Sequence, residues 1–204
     1  RSEPRFAPNV FTTPSTKPCK TLLGSVFLYR DRSIGRKNII LVGFMGTGKT
    51  TVGEHLAAQL HFPLFDMDHL IETTEKKSIP QIFADHGEAH FRNLERALVQ
   101  QLAPTHGSII STGGGIVLNP DNLSDFAQHG LVACLTATPQ TILQRVRDDQ
   151  NRPLLAGDKE KQIQALLAQR QPLYDTIPFQ VQTDDRSPQE IAQSILNEYH
   201  QQFG

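Results

Sequence analysis

Lys49 and Thr50 follow Gly43-Phe44-Met45-Gly46-Thr47-Gly48, so a cation and a hydroxyl close a stretch that carries three glycines. The spacing is glycine, four residues, glycine, lysine, then serine or threonine, the pattern of a phosphate-binding P-loop. Phosphate oxygens need many donors at close range. Glycines let the backbone bend until several N–H groups point inward, and a helix that follows adds its positive N-terminal end. Lys49 reaches the β- and γ-phosphates, and the Thr50 hydroxyl is placed to ligate Mg²⁺. Gly43, Met45, Gly46, Thr47, Gly48, Lys49, Thr50 and Thr51 are therefore the ATP-binding candidates. A dinucleotide loop would need G-x-G-x-x-G; Gly46 and Gly48 supply the first two places, but Thr51 stands in the third. A glycine-rich turn without a ligand is the plainest alternative, and the specificity of the motif weighs against it.

A P-loop names the donor of a phosphoryl group and leaves the acceptor open. Open α/β sheets bind ligands beyond the carboxyl ends of their strands, so the other strand ends are the place to look. Asp66 and Asp68, in "FDMD", close the second expected strand. One carboxylate could hold a metal-bound water and the other orient a hydroxyl; the bland alternative is a helix cap. Arg92 and Glu95, in "FRNLE", stand three apart, which also suits a simple surface ion pair. Gly113, Gly114 and Gly115, in "STGGG", permit close backbone approach to a ligand, or form a plain loop. His86 and His90 invite a zinc reading, but the zinc-protease helix needs H-E-x-x-H, and here the Glu is displaced and Gly87 interrupts the helix. A solvated helix start is expected there instead.

Positioning these groups requires strands that alternate with helices. "NIILVG" is a buried strand and "KTTVGEHLAAQL" a helix; "FPLFDMD" is a short strand. "MDHLIETTEKK" and "SIPQIFADHG" are short helices, and "EAHFRNLERALVQQLA" is a longer one with Phe91, Leu94, Leu98 and Leu102 on one face. "GSIISTGGG" is a strand that ends in glycines. "NPDNLSDFAQHG" has Asn at the cap, Pro in the first turn and Gly at the end of a helix. "LVACLTA" is a strand, Thr138-Pro139 opens the next helix, "KEKQIQALLAQRQPLYD" is helical and "FQVQT" is the last strand. "SPQE", Ser187 to Glu190, is a capping box that opens the final helix. The alternation predicts a parallel sheet covered on both faces, in one domain over residues 38–204.

The chain has 204 residues and a formal net charge of −1, which does not suit a protein built to coat nucleic acid or an anionic membrane. Its apolar runs are too short to span a bilayer. Cys19 and Cys134 do not make a disulfide framework, so a reducing, cytoplasmic setting is expected. Residues 1–37 are rich in Pro, Thr and basic side chains and show neither helical nor strand period; they are expected to be a disordered extension. Such basic, acid-poor composition also suits an organelle transit segment, with a plastid as the alternative location.

Taken in order, "GFMGTGKT", "DMD", "FRNLE", "TGGG", "RPLL" and "RQPLY" resemble the signatures of the shikimate kinase family, over Asn38 to the C-terminus. The resemblance implies transfer of the ATP γ-phosphate to the 3-hydroxyl of shikimate, a step in making aromatic amino acids. It implies a three-layer α/β/α P-loop kinase fold with a five-stranded parallel sheet, a helical substrate-binding region and a lid. It gives Lys49, Asp68 and Arg152 catalytic roles, and one Mg²⁺ held by Thr50 and, through water, Asp66. Asp68, Arg92, Glu95, Gly113, Gly114, Gly115 and Arg170 become the shikimate pocket, with the two arginines on the carboxylate. Arg152 becomes the lid arginine over the phosphates, Arg186 and Pro188 the adenine-side loop, and Arg145 or Arg147 a flank of adenine. A monomer that binds ATP and shikimate, with no nucleic-acid or membrane partner, is expected. The rivals are another metabolite kinase of the same fold, such as a gluconate kinase, and a nucleotide-binding relative without catalysis.

Overall fold

A computed structural model of the chain describes residues 36–146 and 159–204. Residues 1–35, Arg147, Arg152 and the expected lid lie outside them. The sequence alternation is realised as five strands, β1 (Asn38–Gly43), β2 (Leu64–Asp66), β3 (Ile109–Ser111), β4 (Gly130–Thr136) and β5 (Phe179–Gln182). They form one all-parallel sheet in the order β2-β3-β1-β4-β5. The described helices are α1 (Lys49–Leu60), α2 (Met67–Glu75), α3 (Ile79–Leu102), α4 (Pro120–His129), α5 (Pro139–Val146), α6 (Lys159–Tyr174) and α7 (Pro188–Phe203).

Every residue of β1 is buried, as a strand covered on both faces must be. Its side chains alternate between two cores. Ile39 and Leu41 pack with Val52, Leu56, Ile195 and Leu196 under α1 and α7. Ile40 and Val42 pack with Phe91, Val99, Phe126 and Ile142 under the other helices. Asn38, fully buried at the strand's entrance, is satisfied on both sides of its amide: it donates to the Ala103 and Thr105 carbonyls and accepts from Ser108 N–H. Cys134, in β4, is buried, and burial pushes its thiol up to about 12, so it acts as a small apolar side chain.

Helix starts follow the expected chemistry. Asn119 caps α4, and Ser187 with Glu190 forms the capping box of α7. The two helices expected on either side of Gly87 run as one element, α3, with a kink at Gly87, where φ is 78° and ψ 172°. Ser78 and Gln81 form a second capping box at its start. One boundary differs from expectation. β2 ends at Asp66, whose side chain caps α2 by accepting from His69 N–H, so Asp68 lies in the first helical turn and does not close the strand.

Candidate active site

β1 delivers the P-loop to the middle of the sheet's carboxyl edge. Gly48 caps α1 in a left-handed conformation, φ 90°, that a side chain would resist. Lys49 begins the helix and folds its ammonium back to donate to the Gly43 and Phe44 carbonyls, both at 2.9 Å. A cleft of about 230 Å³ opens beside it. Met45, Gly46, Gly48, Lys49, Thr50 and Thr51 line one side; Asp66, Asp68, Ser111, Thr112 and Gly114 line the rest. Thr47, expected among the ATP contacts, is buried behind the loop, and its amide and hydroxyl both donate to the Phe44 carbonyl.

Parallel register sets a row of oxygens across this cleft. Ser111 pairs with Leu41 on one side and Asp66 on the other. The Thr50 hydroxyl donates to Asp66 Oδ2 at 2.9 Å and lies 3.4 Å from Ser111 Oγ. Ser111 was not among the sequence candidates. The available signal was its place directly before "TGGG", at the end of a strand beside the P-loop strand.

The acceptor side is built by close approach to glycine. A methyl group on Gly113 would fall 2.7 Å from Asp68 Oδ1 and 2.9 Å from Glu95 Oε1. One on Gly115 would collide with the Arg92 guanidinium. Gly113 and Gly115 thus let Asp68 of α2, and Arg92 and Glu95 of α3, converge on one loop. Arg92 is clamped between Glu88, at 2.8 Å, and Glu95, with its guanidinium over the Phe91 ring. Burial works against the charge on Arg92, but the two glutamates outweigh it and raise its pKa. Burial pushes the Glu95 carboxyl above its ordinary range; Arg92 opposes this, and the nearby Asp68 charge adds to it. Glu95 Oε1 is buried with no hydrogen-bond partner among the described residues. From α6, Arg170 reaches the same loop and donates to the Gly114 carbonyl at 3.3 Å.

The far end of the cleft is tied by side chains. Arg145 donates to the Gly46 carbonyl and to both the carbonyl and hydroxyl of Thr183, linking α5 to the P-loop and to the exit of β5. Arg186 is engaged elsewhere: just before α7, it donates to the Glu190 carbonyl and to Ser194 Oγ of that helix. Pro188 is the first residue of α7. Neither lines the cleft. In α3 the rings of His86 and His90 lie 4.8 Å apart, and His86 Nε2 is 3.3 Å from Lys77 Nζ.

Comparison with known proteins gives the chain a family. The family profile for shikimate kinase matches residues 45–200. A shikimate kinase from Caldanaerobacter subterraneus subsp. tengcongensis is 42% identical over 164 residues, which cover 80% of this chain and 96% of that protein. A solved shikimate kinase from Acinetobacter baumannii, in complex with shikimate, is 37% identical; the match has a TM-score of 0.78 and covers 82% of this chain and 94% of the other. A gluconokinase from Sinorhizobium meliloti is 13% identical, with a TM-score of 0.57 over 83% of this chain and 94% of its own, and shares the fold alone.

Proposed function

Since the chain belongs to the shikimate kinase family, we infer which of its own groups carry the ATP-dependent phosphorylation of the shikimate 3-hydroxyl. The observation that supports the assignment most is the convergence of Asp68, Arg92 and Glu95 on Gly113–Gly115, next to a P-loop cleft that Asp68 itself lines. Phosphoryl transfer has a loose transition state, so positioning and charge neutralisation dominate. Lys49 neutralises charge on the migrating group, and Gly43, Met45, Gly46, Gly48, Thr50 and Thr51 hold the phosphates. A carboxylate is too weak a base to deprotonate a secondary alcohol beforehand. Asp68 therefore orients the 3-hydroxyl and takes its proton late, as the new P–O bond forms. Arg92 and Arg170 grip the shikimate carboxylate, a planar fork on a planar anion, and Glu95 holds Arg92 in place.

Thr50, Asp66 and Ser111 present only hard oxygen donors, a set that suits Mg²⁺, with Thr50 as direct ligand and Asp66 acting through water. Bound there, the ion would offset charge on the phosphates. Arg152 is assigned to a lid that completes the site, with Arg145 on the adenine side and Arg186 and Pro188 in the adenine-side loop. The working form is a cytoplasmic monomer without a nucleic-acid partner, and no described helix is long and apolar enough to cross a membrane.

A coupled ADP-release assay with shikimate, gluconate and shikimate methyl ester tests the acceptor site. Shikimate should be turned over and the methyl ester poorly, because it cannot accept two charge-assisted forks. Arg92→Ala or Arg170→Ala should raise KM for shikimate by about tenfold or more while KM for ATP stays within about twofold. Equal turnover of gluconate, or equal changes in both KM values, would remove these arginines from the acceptor site.

A further inference from the structure

The Gly114 carbonyl accepts from two side chains of α6. Tyr174 Oη donates at 2.6 Å, and Arg170 Nη1 donates at 3.3 Å. Tyr174 is the last residue of α6, one turn beyond Arg170, so both side chains lie on one face of the helix. Both are buried, at 2% and 5% exposure. Burial raises the Tyr174 phenol far above its ordinary value, so it remains a neutral donor at any working pH. The Arg170 bond is long for a charged donor, and Arg170 Nε is buried with no hydrogen-bond partner among the described residues. Gly114 also touches the P-loop: a methyl group there would lie 3.4 Å from Met45 N and 3.6 Å from the Gly43 carbonyl.

We propose that Tyr174 is a positioning residue for the acceptor: its short bond dominates the Gly114 carbonyl and leaves Arg170 only a long one, so that Arg170 keeps its remaining donors for the substrate carboxylate. The inference rests on the acceptor site assigned above. The short phenol bond pins the peptide between the glycine loop and the P-loop. With the hydroxyl removed, the only remaining side-chain donor to that oxygen among the described residues is Arg170, which is drawn closer onto it and away from the substrate. Phenylalanine preserves the packed ring, so the core under α6 is kept.

Tyr174→Phe should raise KM for shikimate about tenfold, leave KM for ATP within about twofold and shift Tm by no more than about 3 °C. The Kd for shikimate by calorimetry should weaken in step with KM. In an Arg170→Lys background the same change should cost less than about twofold, because the two residues act as one unit. Three outcomes overturn the proposal: unchanged shikimate affinity in a folded Tyr174→Phe, equal changes in both KM values, or full additivity with Arg170→Lys. A wild-type protein that neither binds nor phosphorylates shikimate would overturn the acceptor assignment together with it, and the wild-type control separates the two cases.

Discussion

Asp184 accepts from Thr138 twice, from the amide at 3.0 Å and from the hydroxyl at 2.8 Å, and so ties the exit of β5 to the start of α5. Burial opposes its charge, but the hydrogen bonds from Thr141 and Thr138 outweigh this and lower its carboxyl from 3.8 to about 2. A lowered folded value means that the stabilisation is present above 3.8 and is lost as pH falls toward about 2. Asp184→Asn should therefore lower the urea midpoint at about pH 6, and the gap to wild type should close as pH falls below about 3. A gap that is constant with pH would mean that the carboxylate charge contributes nothing. At this scale the sequence was most informative where a residue type has few uses. Lys49 and Thr50 after glycines, and three successive glycines at Gly113–Gly115, admit little but phosphate binding and close approach. Ser111 and Tyr174 stand inside "STGGG" and "RQPLY" but carry no legible role there, because serine and tyrosine have many ordinary uses. Only the register of β3 against β2, and the packing of α6 on the glycine loop, bring them to the site.

Among the elements, α3 carries the largest share of the acceptor site, and its geometry turns on Gly87. With φ 78° and ψ 172° this residue occupies backbone space that is nearly confined to glycine. A methyl group there would meet nothing within 4 Å, so the penalty of Gly87→Ala is conformational and not steric. The variant should lose about 1–3 kcal/mol in urea unfolding. It should also raise KM for shikimate, because Arg92 and Glu95 stand in the first turns after the kink. Unchanged stability would show that the kink is imposed from elsewhere. Helices with explicit caps, such as α4 at Asn119 and α7 at Ser187, were legible to within a residue. The β2–α2 junction was not. Three residues of strand are too few to show a period of two, and Asp66, which ends the strand, also caps the helix.

For the whole molecule, alternation of strand and helix established a parallel sheet but carried no information on strand order, which depends on which helix covers which face. The described residues pack two cores, and the entrance to β1 is fastened by Tyr199 Oη on the Lys37 carbonyl and by Arg36 over the Phe62 ring. A protein begun at Arg36 should keep kcat/KM within about twofold and Tm within about 3 °C of the full chain. A loss of many degrees would give residues 1–35 a structural role. The sheet order also governs how the chain comes to be folded. Among the described strands β1 is made first, yet its partners are β3 and β4, far downstream, and no hairpin connects it to either. Such non-local pairing makes folding slow and postpones the ordering of the central strand. On the ribosome, the P-loop would therefore emerge well before the strands that flank β1, and the sheet edge that carries it would be complete only after β4 had left the exit tunnel.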